Sequence, residues 1–142
     1  MDSFFKESNS FAVLGLSRDP KSFSRKAYDF LKKEGYDLVP INPHVTNIGG
    51  EKCYTSLSEI NQTQAAIFFT SPEASRKLIP LCKEKGINNL LFQFGSTTKE
   101  DLKEAKALGL NARYACVFLY HPHAGFPHNV HHHLHNFLNK DK

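Results

Sequence analysis

The sequence predicts an α/β fold: an open, mainly parallel sheet of five strands with helices on both faces. Short apolar runs alternate along the chain with segments whose apolar residues recur at helical spacing, which is typical of βαβ units. The run at 66–69 is apolar at every position, as a strand buried on both faces requires. Right-handed crossovers between such strands would place helices over both faces of the sheet.

The first βαβ unit lies near the N-terminus. The apolar run at 11–16 is the first predicted strand. Ser22 is a start signal for a helix whose apolar residues recur at helical spacing until Gly35, a residue typical of helix C-caps. The next stretch, 36–41, is the second predicted strand.

The second unit follows an irregular crossover. Residues 42–64 contain Asn-Pro and Gly-Gly pairs and are predicted as mostly loop. A strand at 65–70, a helix at 72–85 and a strand at 89–94 come next. Pro80 lies inside this helix, and because proline lacks an N–H and clashes with the preceding turn, the sequence predicts a kink or a break there.

The C-terminal part begins with a helix that follows a polar, acid-containing segment and ends at Gly109. The fifth predicted strand is 111–120. Beyond it the chain is rich in histidine, and apolar residues at helical spacing from Pro127 predict a helix over about 127–139. We therefore expect a single domain over 1–142 with its core at about 8–120.

Composition limits the classes of partner. Of 142 residues, 40% are hydrophobic and 23% charged, which is typical of globular domains. The net charge of +4 comes from Lys and Arg scattered among Asp and Glu, so we expect no nucleic-acid partner. With no leader pattern and no apolar run of membrane-spanning length, we expect no secretion and no membrane insertion. Association into a homo-oligomer stays open.

The cysteines bear on the cellular compartment. There are three of them, Cys53, Cys82 and Cys116, odd in number and widely spaced. This pattern disfavours both a disulfide framework and a Cys-x-x-Cys metal site. The sequence therefore predicts a protein of the reducing cytoplasm.

The junction between the first strand and the first helix is a candidate anion site, since ligands of open α/β sheets bind outside the carboxyl ends of the strands. Gly15 would let the backbone approach a phosphate, Ser17 offers a hydroxyl, and Arg18 carries a forked cation that matches phosphate geometry. The start of the following helix adds unpaired N–H groups. These features predict a diphosphate site. The alternative is that Gly15 eases packing, Ser17 caps and Arg18 is solvated.

Two signals of a dinucleotide site are missing. The glycine turn is not Gly-x-Gly-x-x-Gly, and the second strand ends in Ile-Asn-Pro at 41–43 without the acid that holds the adenosine ribose. Both absences disfavour a nicotinamide or flavin oxidoreductase, which is kept as a lesser alternative. A phosphorylated adenosine ligand remains compatible with the junction.

An ordered set of motifs carries a family resemblance across residues 8–116. These motifs are Gly-Leu-Ser-Arg-Asp-Pro at 15–20, Gly-Tyr at 35–36, Ile-Asn-Pro at 41–43, Gly-Glu-Lys-Cys-Tyr with Ser-Leu at 50–57, and Gln-Phe-Gly at 93–95. The chain resembles the small standalone CoA-binding proteins, relatives of the CoA-binding domain of the succinyl-CoA synthetase alpha subunit. The resemblance implies a Rossmann-like fold that binds coenzyme A or an acyl-CoA.

The same resemblance implies a set of contacts for the ligand. Ser17 and Arg18 match the loop that holds the CoA phosphates, and Leu16 departs from the smaller residue that relatives often have there. Other motifs match the turn flanking the nucleotide and the remaining pocket walls. The full candidate set is Gly15, Leu16, Ser17, Arg18, Ser22, Asn42, Pro43, Ser71, Pro72, Gln93 and Gly95.

No catalytic residue is assigned. The synthetase relatives act with additional domains and a phosphorylated histidine, for which 142 residues leave no room. The Gly-x-Ser motif lacks the second glycine of a nucleophile elbow. Cys116 could be a reactive thiol, but a cysteine in an apolar strand is more often a small core residue. We expect non-catalytic binding.

The histidine-rich tail is a second candidate site. On the predicted helix, His128, His131, His132 and His135 gather on one face, and pairs four residues apart can share a zinc or nickel ion. Two ligands do not close a site. The alternative to a metal-binding or metal-sensing protein is a solvated polar helix face.

Overall fold

The computed structural model describes residues 4–61 and 63–120, and its main sheet confirms the predicted fold. The strands are β1 (Ser10–Leu14), β2 (Asp37–Ile41), β3 (Asn47–Ile48), β4 (Glu51–Lys52), β5 (Ala65–Phe68), β6 (Asn89–Phe92) and β7 (Asn111–Tyr114). The helices are α1 (Phe4–Glu7), α2 (Phe23–Lys33), α3 (Pro72–Lys85), α4 (Lys99–Ala107) and α5 (Val117–Tyr120). The five-stranded sheet has the order β2-β1-β5-β6-β7, and neighbouring strands pair in parallel.

This strand order contains one reversal of winding. From β1 the chain moves to β2 on one side, and after the crossover it returns to β5 on the other side of β1. The loops that leave the carboxyl ends of β1 and β5 therefore diverge. Such a point is where open α/β sheets form their ligand crevice.

The two faces of the sheet form two cores. In β1, Phe11 and Val13 belong to one core and Ala12 and Leu14 to the other, as the two-residue period of a strand requires. Residues of α1, α2 and α5 cover the first face, and residues of α3 and α4 cover the second. The sheet is thus covered by helices on both faces, as predicted.

Side-chain caps define where the three long helices begin. The Ser22 hydroxyl accepts the N–H of Arg25, and the Thr98 hydroxyl accepts the N–H of Asp101. In α3 the break predicted at Pro80 is wrong, because the helix is continuous from Pro72 to Lys85. Pro80 and Arg76 both lie on the exposed side of α3, so water can take the bond that the carbonyl of Arg76 loses.

The crossover at 42–64 is mostly loop, as predicted. It also contains the small antiparallel hairpin of β3 and β4 and a short 3₁₀ turn at Leu57–Glu59. The hairpin lies beside α2, where the hydroxyl of Tyr28 donates to Glu51 over 3.2 Å and Lys32 forms an ion pair with the same carboxylate.

The last predicted strand, 111–120, is too long. The N–H of Ala115 still donates to the carbonyl of Phe92 over 3.1 Å, but the N–H of Val117 donates to Gln93 Oε1 over 2.9 Å. The side chain of Gln93 thereby replaces the neighbouring strand as partner, and the chain leaves the sheet to form α5. Cys116 consequently lies in the link between β7 and α5.

The predicted helix at 127–139 and its candidate metal ligands His128, His131, His132 and His135 lie outside the described residues. Within the described part of the chain, no group of His, Cys, Asp and Glu side chains could hold a metal ion. None of the helices described there is long and apolar enough to cross a membrane.

Candidate functional site

A cleft of about 490 Å³ lies at the carboxyl ends of β1, β5 and β6, at the reversal of winding. Five of the sequence-predicted residues line it, namely Gly15, Ser17, Ser22, Gln93 and Gly95. Six further lining residues were not among the named candidates, namely Phe23, Ser24, Phe69, Thr70, Phe94 and Ser96. The cleft therefore lies between the junction of β1 with α2 and the turns after β5 and β6.

Gly15 lets the turns after β1 and β5 approach each other. Its φ of +82° lies in the left-handed region, and its N–H donates to the carbonyl of Ile41 over 3.2 Å. A Cβ at this position would lie 2.8 Å from the backbone nitrogen of Thr70 and 2.8 Å from its Cγ2. Glycine is required here both for its conformation and for its lack of a side chain.

Serine hydroxyls hold the loop that follows Gly15. The N–H of Ser17 donates to Ser24 Oγ over 3.1 Å, and Ser17 Oγ accepts the N–H of Asp19 over 3.0 Å. The hydroxyl of Ser22 donates to the carbonyl of Asp19 over 2.8 Å. The hydroxyls of Ser22 and Ser24 are also hydrogen-bonded over 3.4 Å, and because the proton of Ser22 goes to Asp19, Ser24 is the donor in this pair.

A buried arginine that the sequence analysis missed supports the same loop. Arg25 lies in the first turn of α2, and its Nη1 donates to the carbonyl of Arg18 over 3.0 Å. Its Nη2 lies 4.0 Å from the Asp29 carboxylate, and a Cβ on Gly49 would lie 3.2 Å from Nη2. Arg25 thus joins the loop to the hairpin. Helical spacing alone gave no signal that this cation is buried.

Four predicted residues near β2 and in the loop lie outside the cleft lining. Leu16 is fully buried in the α2-covered core, and the exposed Arg18 contributes its carbonyl to Arg25. Asn42 Nδ2 donates to the carbonyl of Leu16 over 2.9 Å, and its Oδ1 accepts the N–H of His44 over 2.8 Å. Pro43 is exposed beside it. Asn42 therefore ties the β2 turn to the β1 turn.

The turn after β5 places the remaining two predicted residues, Ser71 and Pro72, at the start of α3. The hydroxyl of Ser71 accepts the N–H of Ala74 over 3.2 Å and so caps the helix. Neither residue is among those that line the cleft. Thr70, one position earlier, does line it, and its hydroxyl is hydrogen-bonded to that of Ser75.

The turn after β6 is held by more distant parts of the chain. The N–H of Gly95 donates to Tyr114 Oη over 2.9 Å, and the N–H of Ser96 donates to the carbonyl of Gln93 over 3.0 Å. Burial raises the pKa of Tyr114, and the Gly95 N–H partly offsets that rise. The Ser96 side chain is buried, and its Oγ has no hydrogen-bond partner among the described residues.

Aromatic rings form the apolar part of the cleft. Phe23 lies on the first turn of α2 and is 45% exposed. Its ring centroid lies 6.4 Å from that of Phe69 and 5.6 Å from that of Phe118. The sequence analysis assigned Phe23 to the helix periodicity, which conceals its position beside the cleft.

The three thiols lie away from this lining. Cys53, Cys82 and Cys116 are free and buried. Burial raises the pKa of Cys82 to about 12 and also raises the pKa of Cys53. A thiol with a raised pKa is a poor nucleophile at neutral pH, so Cys53 and Cys82 are suited to packing.

Comparison with known proteins identifies the family of this chain. The CoA binding domain family matches residues 9–122. The alpha subunit of ADP-forming acetate–CoA ligase II from Pyrococcus furiosus is 30% identical over 113 residues, which make up 76% of this chain and 24% of that protein. The chain thus spans about a quarter of the length of this curated relative.

Solved structures share the fold. A hypothetical protein from Pyrococcus horikoshii OT3 has a TM-score of 0.75 at 25% identity, over 81% of this chain and 82% of that one. The apo form of dinucleotide forming acetyl-coenzyme A synthetase 1 from Ca. Korarchaeum cryptofilum has a TM-score of 0.66 at 22% identity, over 78% of this chain and 27% of that one. Because the family match extends over residues 9–122, this chain belongs to the CoA binding domain family.

Proposed function

We propose that this protein binds coenzyme A or an acyl-CoA, without catalysis, at the carboxyl ends of β1, β5 and β6. The observation that supports this most is the cleft at the reversal of winding, in a chain of the CoA binding domain family. On this proposal the diphosphate lies against the loop between Gly15 and Ser24, where hydroxyl groups meet the N-terminus of α2.

The lining also supports binding without chemistry. Its described side chains are hydroxyls, one amide and aromatic rings. Acyl transfer or hydrolysis requires a nucleophile that is activated by a neighbouring base, commonly histidine or a carboxylate. The serines of the loop between Gly15 and Ser24 instead bond to backbone groups and to each other, and no described histidine or carboxylate lines the cleft beside Ser96.

Isothermal titration of the folded protein with CoA and with acetyl-CoA tests the proposal. We expect saturable binding of at least one of them. Failure of both to bind at millimolar concentration would refute the proposal. Incubation of the protein with acetyl-CoA, followed by detection of free thiol, tests the non-catalytic part, and we expect no release above that of acetyl-CoA alone.

The phosphate assignment has its own variant. Arg18→Ala should weaken CoA binding more than it weakens binding of an adenosine ligand without a diphosphate, since a forked cation pairs with phosphate. Lys26→Ala is the matched control, because Lys26 is an exposed cation on α2 outside the cleft lining. Equal losses for Arg18→Ala and Lys26→Ala would contradict the assignment.

A further inference from the structure

The cleft is chemically neutral along its described lining. Hydroxyl groups come from the β1 loop and from Thr70 and Ser96, and apolar surface comes from Phe23, Phe69 and Phe94. The N-terminus of α2, where the diphosphate is placed above, lies on the β1 side of this lining. If the protein binds CoA as proposed above, the neutral lining on the β6 side, around Phe94 and Ser96, fits the uncharged end of the ligand.

One polar group in this lining is left without a partner. Ser96 is 2% exposed, and its Oγ has no hydrogen-bond partner in the described part of the chain. A buried hydroxyl without a partner is unfavourable, and a ligand that offers an acceptor would relieve this. Rotation about the Cα–Cβ bond is enough to turn a serine hydroxyl from one staggered position to another.

The groups beside Ser96 are already paired. Gln93 Oε1 accepts the N–H of Val117, and Tyr114 Oη accepts the N–H of Gly95. An amide of the ligand would bring an N–H that needs an acceptor here, whereas a thioester carbonyl needs only a donor. The geometry therefore favours an ester-type carbonyl opposite Ser96.

We propose that Ser96 Oγ donates a hydrogen bond to the thioester carbonyl of an acyl-CoA, with the acyl group against the aromatic rings of the cleft. Free CoA has a thiol in place of this carbonyl and leaves Ser96 unpaired. The cleft then selects the acylated form of the coenzyme. This inference rests on the proposed function and assigns the class of ligand to the same site.

The test compares acetyl-CoA with S-ethyl-CoA, a thioether that lacks only the carbonyl oxygen. The wild-type protein should bind acetyl-CoA about 3- to 10-fold more tightly, as expected for one hydrogen bond to a neutral group. Ser96→Ala should bring this ratio close to one. Ser58→Ala, at an exposed serine outside the cleft lining, should leave the ratio unchanged.

Three results would overturn the inference. The first is a wild-type ratio of one, which requires no variant. The second is a ratio that survives Ser96→Ala in protein shown by circular dichroism to be folded. The third is that Ser96→Ala weakens the binding of CoA, acetyl-CoA and S-ethyl-CoA equally. This result would place the hydroxyl against a part of the ligand that all three share. If the wild-type protein bound none of the three ligands, the proposed function itself would be refuted.

Discussion

The two sides of the cleft are held in different ways. On the β1 side, the bonds of Ser17, Ser22 and Ser24 join residues within eight positions of one another. On the β6 side, Gln93 is bonded to Val117 and Gly95 to Tyr114, 24 and 19 positions away. The hydroxyl bonds of the first side are thus local, although Gly15 and Asn42 also connect this side to the end of β2. The second forms only when β7 and α5 are in place.

The largest expected effect concerns the contact between the two sides at Gly15. Gly15→Ala should lower the free energy of unfolding by about 2–5 kcal/mol, from left-handed strain and from overlap with the backbone of Thr70. Gly35→Ala is the matched control, because Gly35 has a φ of +97° and a Cβ there would meet nothing within 4 Å. Chemical denaturation measures both variants.

Gly35→Ala should lower the free energy of unfolding by only about 1–2 kcal/mol, because it introduces left-handed strain without any overlap. Equal destabilisation by the two substitutions would contradict the close approach at Gly15. CoA binding should be lost or strongly weakened in Gly15→Ala and retained in folded Gly35→Ala.

An intermediate effect is expected on the β6 side. Tyr114→Phe removes the acceptor of the Gly95 N–H and should lower the free energy of unfolding by about 1–3 kcal/mol at neutral pH. Tyr114→Phe should weaken the binding of acetyl-CoA more than the binding of an adenosine diphosphate, because the altered turn lies away from the loop between Gly15 and Ser24 where the diphosphate is proposed to bind. The reverse order would contradict the division of the cleft into two sides.

The same variant has a pH dependence of defined sign. Burial raises the pKa of Tyr114 above its ordinary value of 10.0, so the unfolded tyrosine ionises first as the pH rises. The stabilisation by Tyr114 is therefore full below pH 10 and declines above it. Denaturation at pH 8 and at pH 10.5 should show a smaller difference between wild type and Tyr114→Phe at the higher pH.

The smallest effect is expected at the aromatic edge of the cleft. Phe23→Ala should reduce the preference for hexanoyl-CoA over acetyl-CoA by about 2- to 5-fold, since part of the longer chain loses its apolar contact. Leu81→Ala is the control, because Leu81 is also 45% exposed and lies on α3 outside the cleft lining. If titration showed the same change in this preference for Phe23→Ala and Leu81→Ala, Phe23 would not contact the acyl chain.

The sequence analysis predicted the strands and the long helices because their signals are local. The run at 66–69 is apolar throughout, and Ser22 and Thr98 cap the helices that follow them. The break, one of the two outcomes predicted at Pro80, did not occur, because Pro80 and Arg76 lie on the exposed side of α3 where water can replace the lost bond. The end of β7 was misplaced because the competing acceptor, Gln93 Oε1, belongs to another strand.

Within the candidate site, the residues nearest in sequence to the glycine turn were the easiest to predict. Gly15, Ser17 and Ser22 were found from their junction, whereas Ser24 and Arg25 were hidden in a helical pattern. Ser96 lies in the turn after a predicted strand but was not named as a contact, because a hydroxyl without a partner is recognised only when every neighbouring donor and acceptor has been assigned.

By itself, the sequence determined the order of strands and helices, the strand-to-helix junction at Gly15 and the family, because periodicity, caps and short motifs are properties of neighbouring residues. Tertiary structure alone decided which turns meet at the cleft, that Arg25 rather than Arg18 is fixed against the loop, and that Ser96 Oγ has no partner within residues 4–61 and 63–120. These outcomes depend on contacts between residues far apart in the chain, and such contacts form only when the sheet brings its strand ends together.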